Sequence, residues 1–161
     1  MYITEPAEQN RLIQDMTQLR KDMDAFEVYY HHPYTNRMWK SFFPRSTEKE
    51  LGPKLLRHEP LPENLKKLIS VCLVENVPQN AKGLGIELSV LVPEWPAVFD
   101  ILEECYPEYH SGQVRLFLKH LHLETSHRLY QRETDSEGIP GKELKKIIWR
   151  MRKLKLKSFL F

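Results

Sequence analysis

The sequence predicts an all-α chain, built of antiparallel helix pairs stacked as a short right-handed solenoid or else packed as a compact helical bundle. Three observations predict it. Apolar residues recur at helical spacing along most of the chain. The stretch from Pro60 to Glu124 matches itself when shifted by 33 positions, and the chain closes on a lysine-rich segment with one apolar face. In the self-match Pro60 falls on Pro93, Leu65 on Val98, Leu68 on Ile101 and Cys72 on Cys105. Ala81 then falls on Val114, Lys82 on Arg115, Leu84 on Phe117 and Leu88 on Leu121. Nine of the 32 position pairs are apolar in both copies, where a composition of 41% apolar residues gives roughly five or six by chance. Helix pairs at fixed period stack so that neighbours bury one continuous core.

The elements follow in order. Thr4 can cap a helix with Pro6 in its first turn, and Glu5 and Glu8 suit the positive end of its dipole. Leu12, Met16, Leu19, Met23, Phe26 and Tyr30 then recur at spacings of four and three, which specifies one long amphipathic helix over residues 1–32. Used as a coiled-coil seam, that stripe would make a homodimer. It runs under three heptads, so a core-facing helix accounts for it better. Pro33 ends it. The segment 29–45 is dense in aromatic rings with basic residues between them; Tyr34, Arg37, Trp39, Phe42 and Arg45 form a candidate partner-binding patch or a platform for single-stranded nucleic acid. The plainer reading is a loop whose rings close one end of the core.

Helical repeats are expected over 46–124. Ser46 or Thr47, with Glu50, opens a helix whose apolar face is Leu51, Leu55 and Leu56. Pro62 and Glu63 open the next, with Leu65, Leu68, Ile69, Cys72 and Leu73 inward. The segment 81–92 reads as helix or strand, because Gly83 and Gly85 weaken a helix while Gly-Ile-Glu-Leu-Ser-Val alternates. Pro93 to Cys105 is helical, with Val98, Phe99, Ile101, Leu102 and Cys105 on its apolar face. Its other side is an acidic ridge of Glu94, Asp100, Glu103, Glu104 and, just beyond, Glu108. Such a ridge can attract a basic partner, or it is simply a solvated face. Cys72 and Cys105 share a helical phase at no recognised ligand spacing, which fits buried reduced thiols.

Over 141–161, Leu144, Ile147, Ile148, Met151 and Leu154 share one face, and eight lysines and arginines cover the rest. Residues 1–137 carry 16 basic and 21 acidic side chains, whereas residues 138–161 carry eight basic and one acidic. Lys145, Lys146, Arg150, Arg152 and Lys153 are therefore the candidate phosphate contacts of a nucleic-acid binder. The same helix could lie on acidic lipid, or present only a solvated outer face to the stack.

Asn80-Ala-Lys-Gly-Leu-Gly and Gln113-Val-Arg-Leu-Phe-Leu, each opening the second helix of a pair, resemble the Val-Arg position of HEAT or armadillo repeats. The likeness covers about 65 residues. No aspartate precedes the basic residue, lysine replaces arginine in one copy, and 33 residues is short for that family. The resemblance implies a curved scaffold that binds proteins, or sometimes nucleic acid, with no catalytic residues and no cofactor.

The composition, with three tryptophans in 161 residues, fits one folded domain with a real core. The N-terminus has no basic and apolar regions of a signal peptide, and no apolar run approaches a membrane span, so a cytoplasmic protein is expected. His120, Glu124 and His127 would share one face of a continuous helix as metal ligands, but His122 would point elsewhere and no second such motif exists. No nucleophile elbow, P-loop or zinc-protease motif is present. The expected function is a non-catalytic protein–protein interaction module, an adaptor or immunity-type binder of a basic partner. The alternative is a nucleic-acid-binding protein that uses the basic C-terminal helix and the aromatic 29–45 segment.

Overall fold

The computed structural model describes residues 1–45, 51–134 and 138–160. It is a mixed α and β chain, not an all-α one, and it divides into two compact units, Met1–Glu63 and Asn64–Phe161. The five-stranded antiparallel sheet of the first unit overturns the solenoid and the helical bundle as descriptions of the whole chain.

In the first unit a short strand β1 (Tyr2–Ile3) leads into α1 (Pro6–Gln14). Pro6 opens that helix as expected, but it ends at Gln14, not near residue 32. Strands β2 (Thr17–Asp22), β3 (Glu27–His32), β4 (Arg37–Phe42) and β5 (Leu55–Glu59) follow, in the sheet order β1-β5-β4-β3-β2. The long N-terminal helix is therefore corrected, and its dimer seam with it: Leu19, Met23 and Phe26 are exposed and line no helix. Local chemistry explains the switch. The Asp22 carboxylate accepts the N–H groups of Asp24 (3.2 Å) and Ala25 (3.0 Å), turning the chain, and Phe26 completes the turn at φ 54°. Val28-Tyr29-Tyr30 then favours a pleated strand. Asn36, at φ 52°, closes the second hairpin in the left-handed conformation that asparagine tolerates.

Gln9 fixes α1 in place. Fully buried, it donates through Nε2 to the carbonyls of Ile3 (2.8 Å) and Lys54 (2.9 Å). At the sheet edge, the register of β2 shifts between Gln18 and Arg20, a bulge that blunts the strand against further pairing. Leu55 and Leu56 both lie in β5 and both are fully buried, so they do not form one face of a helix. The cap expected at Ser46 or Thr47 lies outside the described residues.

The second unit is helical: α2 (Leu65–Leu73), α3 (Pro78–Leu88), α4 (Trp95–Glu104), α5 (Ser111–His120), α6 (Leu123–Thr134) and α7 (Gly141–Leu160). The segment from Ala81 is thus helix α3. Asn64 caps α2 by accepting the Lys67 N–H at 2.8 Å. The core collects Ile69, Leu73, Leu84, Trp95, Phe99, Leu102, Phe117, Leu118, Leu121 and Ile147. Trp95 satisfies its one polar atom by donating Nε1–H to the Leu88 carbonyl at 2.9 Å. Helix α7 packs on α5 and α4. No helix among the described residues is long and apolar enough to cross a membrane.

Candidate partner-binding surface

The acidic ridge and the basic helix, expected to face outward separately, meet each other. Arg150 of α7 turns toward α4 and donates Nη2–H to Asp100 Oδ1 at 2.7 Å and to Glu103 Oε2 at 2.9 Å. Its Nε–H reaches Glu103 Oε1 at 3.0 Å. The guanidinium also lies 5.8 Å from the centre of the Phe99 ring. Burial works against its charge, but the hydrogen bonds and charges of Glu103 and Asp100 prevail and hold its pKa above the usual arginine range. Glu104 is taken by Lys66, Oε1 to Nζ at 2.8 Å. Three of the five ridge carboxylates thus already face a cation of the same chain. Glu94 and Glu108 stay exposed at either end of α4.

The aromatic segment does not form one patch. Strand alternation sends Trp39 to the face of Tyr30 and His58, its cross-strand neighbours, with its ring edge-on to His58 at 5.4 Å. Arg37 shares that face two residues away. Phe42 points to the other side, where it is buried under the Lys40 ammonium (5.1 Å) and the Arg57 guanidinium (4.8 Å). Tyr34 is 86% exposed in the β3–β4 turn, and Arg45, half-buried, lies beyond β4 with its carbonyl accepting the Gly52 N–H. These five residues are dispersed over two faces, a turn and a loop.

Helix α7 presents the coherent surface. Ile147 and Leu154 point into the core, and on the opposite side Trp149 is 62% and Leu156 64% exposed. At 100° per residue, positions 149 and 156 nearly coincide, one heptad or about 10 Å apart along the axis. Lys142, Lys145, Lys146, Arg152 and Lys153 are exposed around them. The Lys153 ammonium stands 5.5 Å from the Trp149 ring centre. Phe159, 69% exposed, extends the apolar line under the Arg115 guanidinium of α5 at 4.7 Å. The one carboxylate of the helix, Glu143, is in its first turn. Of the five candidate phosphate contacts, Lys145, Lys146, Arg152 and Lys153 are exposed on the helix, and Arg150 is turned to Asp100 and Glu103. Trp149 and Leu156 escape a reading that counts only charge outside the apolar face, although a helical wheel already sets them opposite Ile147.

The histidine group does not assemble. His122, at φ 46°, breaks the chain between α5 and α6, so His120, Glu124 and His127 share no continuous helix. His127 instead pairs through Nε2 with the Ile139 carbonyl at 3.1 Å. Among the described residues no three His, Cys, Asp or Glu side chains gather as metal ligands.

No family model, no curated protein and no solved structure matches the chain.

Proposed function

We propose that this protein is a non-catalytic protein-interaction module that seats an acidic partner protein on the outer face of α7. The observation that carries the reading is the exposed Trp149–Leu156 pair at heptad spacing within five cations. Tryptophan and arginine dominate the energy of protein interfaces when desolvated at a centre, and the surrounding cations set orientation and approach. An apolar pair one heptad apart is also the spacing by which a helix engages a partner groove. The partner's charge is the reverse of that expected from the acidic ridge, because Arg150 and Lys66 already answer three ridge carboxylates. Two copies of this face would repel each other, so the reading is of a heterologous partner.

Nucleic acid would use the same cations but has little use for Leu156 at the centre of the face. A photo-crosslinking residue placed at Trp149 or Leu156, with a control at exposed Val71 of α2, separates the readings. The expected result in cells is one discrete protein adduct from 149 and 156, absent from 71 and unchanged by nuclease. An adduct with nucleic acid, an adduct of two copies of this chain, or equal labelling from Val71 contradicts the proposal.

A further inference from the structure

The outer face of α7 carries a period as well as a charge. From its first turn to its last, Lys142, Lys145, Trp149, Arg152, Leu156 and Phe159 are exposed, at spacings of three and four. On the opposite side Ile147, Leu154 and Ser158 are buried, at spacings of seven and four. The helix is therefore two stripes back to back, and each keeps the heptad period over which helices pack along their length. The inner stripe is met by α4 and α5. The outer one runs unbroken for about 25 Å, or about five turns.

Its cross-section is ordered too. At about 100° per residue, Trp149 and Leu156 lie along the middle, Lys145 and Arg152 fall to one side, and Lys146 and Lys153 to the other. The Lys153 ammonium is held beside the Trp149 ring, and the Arg115 guanidinium of α5 stands over Phe159. Glu143, the one carboxylate of the helix, falls about 120° from Trp149 and off the stripe. An apolar pair thus has cations on both flanks and no acid between them.

Only some backbones can follow this stripe. A helix of the same period stays in register with it, each side chain entering a space between four of the other helix. A strand repeats every second residue and advances about 3.3 Å per residue, so it loses step within a turn or two. It also needs an unpaired sheet edge, which a helix interior does not offer. A proline-rich segment needs an aromatic-lined groove; here Trp149 and Phe159 stand about 15 Å apart along a convex face. Charge then chooses among helices. Cations flank the seam on both sides, so a second α7 would set cation against cation.

We infer, resting on the acidic-partner reading of this face, that the partner lays one amphipathic helix of its own along α7. Its apolar side chains sit at heptad spacing over Trp149, Leu156 and Phe159. Its carboxylates line both flanks, against Lys145 and Arg152 on one side and Lys146 and Lys153 on the other, and reach the seam itself at Lys142.

The test pairs the full chain with three synthetic three-heptad peptides. The first has leucine at the two seam positions of each heptad and glutamate on both flanks, where mutual repulsion keeps the free peptide unpaired. The second is the same with two outward-facing residues replaced by proline, which breaks the helix and leaves seam and charge intact. The third has lysine for every glutamate. Binding is followed in ¹H–¹⁵N spectra of the chain and by circular dichroism. The first peptide should gain helix and give saturable shifts of the Trp149, Leu156 and Phe159 amides. The second should bind about tenfold more weakly or worse, and the third not at all. Trp149→Ala/Leu156→Ala, with the free variant's spectrum checking the fold, should weaken the first peptide about tenfold or more, and Glu143→Gln should not weaken it. Equal affinity of the first two peptides overturns the helix and leaves the acidic-partner reading standing, because charge and apolar content then suffice. Binding of the third peptide as tight as the first overturns that reading as well. No saturable shift with any peptide overturns the inference alone, since crosslinking from 149 and 156 judges the partner reading independently.

Discussion

Arg150 holds two carboxylates with one guanidinium, and that geometry decides what the α4–α7 surface can do. The contact to Glu103 is bidentate, the strong form of an arginine–carboxylate pair, while Asp100 takes a third hydrogen bond. Arg150 is one-fifth exposed but Asp100 is largely open to water, so solvent screens much of the attraction. Replacing Arg150 by Gln should lower stability by about 1 kcal/mol in urea unfolding. In a double-mutant cycle with Glu103→Gln, the two losses should fall short of additivity by about 0.5–1 kcal/mol. Full additivity would mean that the pair is incidental and that the ridge carboxylates remain free for a partner. None of this was legible from the sequence. Arg150 lies 47 and 50 positions from Glu103 and Asp100, and helical phase alone assigned it to the solvated side with the other cations.

At the scale of elements, the close approach of α3 and α5 depends on Gly85. A Cβ there would stand 2.7 Å from the Phe117 carbonyl oxygen and 3.0 Å from the His120 Cβ. The nearest atom is backbone and cannot rotate away. Gly85→Ala gains about 1 kcal/mol of helix propensity but meets an overpacking cost of about 1–3 kcal/mol. A net loss of stability is expected in urea unfolding; a gain would show that the two helices separate at little cost. The sequence left this segment open between helix and strand, and the glycines were the reason. Their role comes from a neighbouring helix that no local pattern reveals. The N-terminal miss has the opposite origin. Leu12, Met16, Leu19, Met23, Phe26 and Tyr30 carry a helical period by coincidence, while the Asp22 turn, the Val-Tyr-Tyr run and Asn36 before β4 carry the hairpins. Two aromatic-rich runs separated by Pro33-Tyr34-Thr35-Asn36 were a strand signal that could have been weighed above the apolar spacing. Helices α2, α4, α5 and α7 were readable because each has a core-facing stripe long enough to specify its own period.

For the molecule as a whole, charge is distributed by segment. Within the helical unit, residues 64–137 carry seven basic and eleven acidic side chains, and the segment from 138 onward carries eight and one. In the proposed reading, a cationic stripe on an otherwise acidic unit would steer an acidic partner toward α7 and away from the rest, an effect that salt weakens. Exposed Trp149 and Leu156 would then provide the part of that binding that salt does not remove. The most direct measurement is quantitative capture from a nuclease-treated extract of the source cells, by the wild-type chain and by a Trp149→Ala/Leu156→Ala variant of unchanged circular dichroism. The predicted result is one acidic protein enriched by the wild type, released progressively as salt rises, and lost with the variant. Equal recovery of the same proteins by both chains, or an enrichment that nuclease alone abolishes, would contradict it.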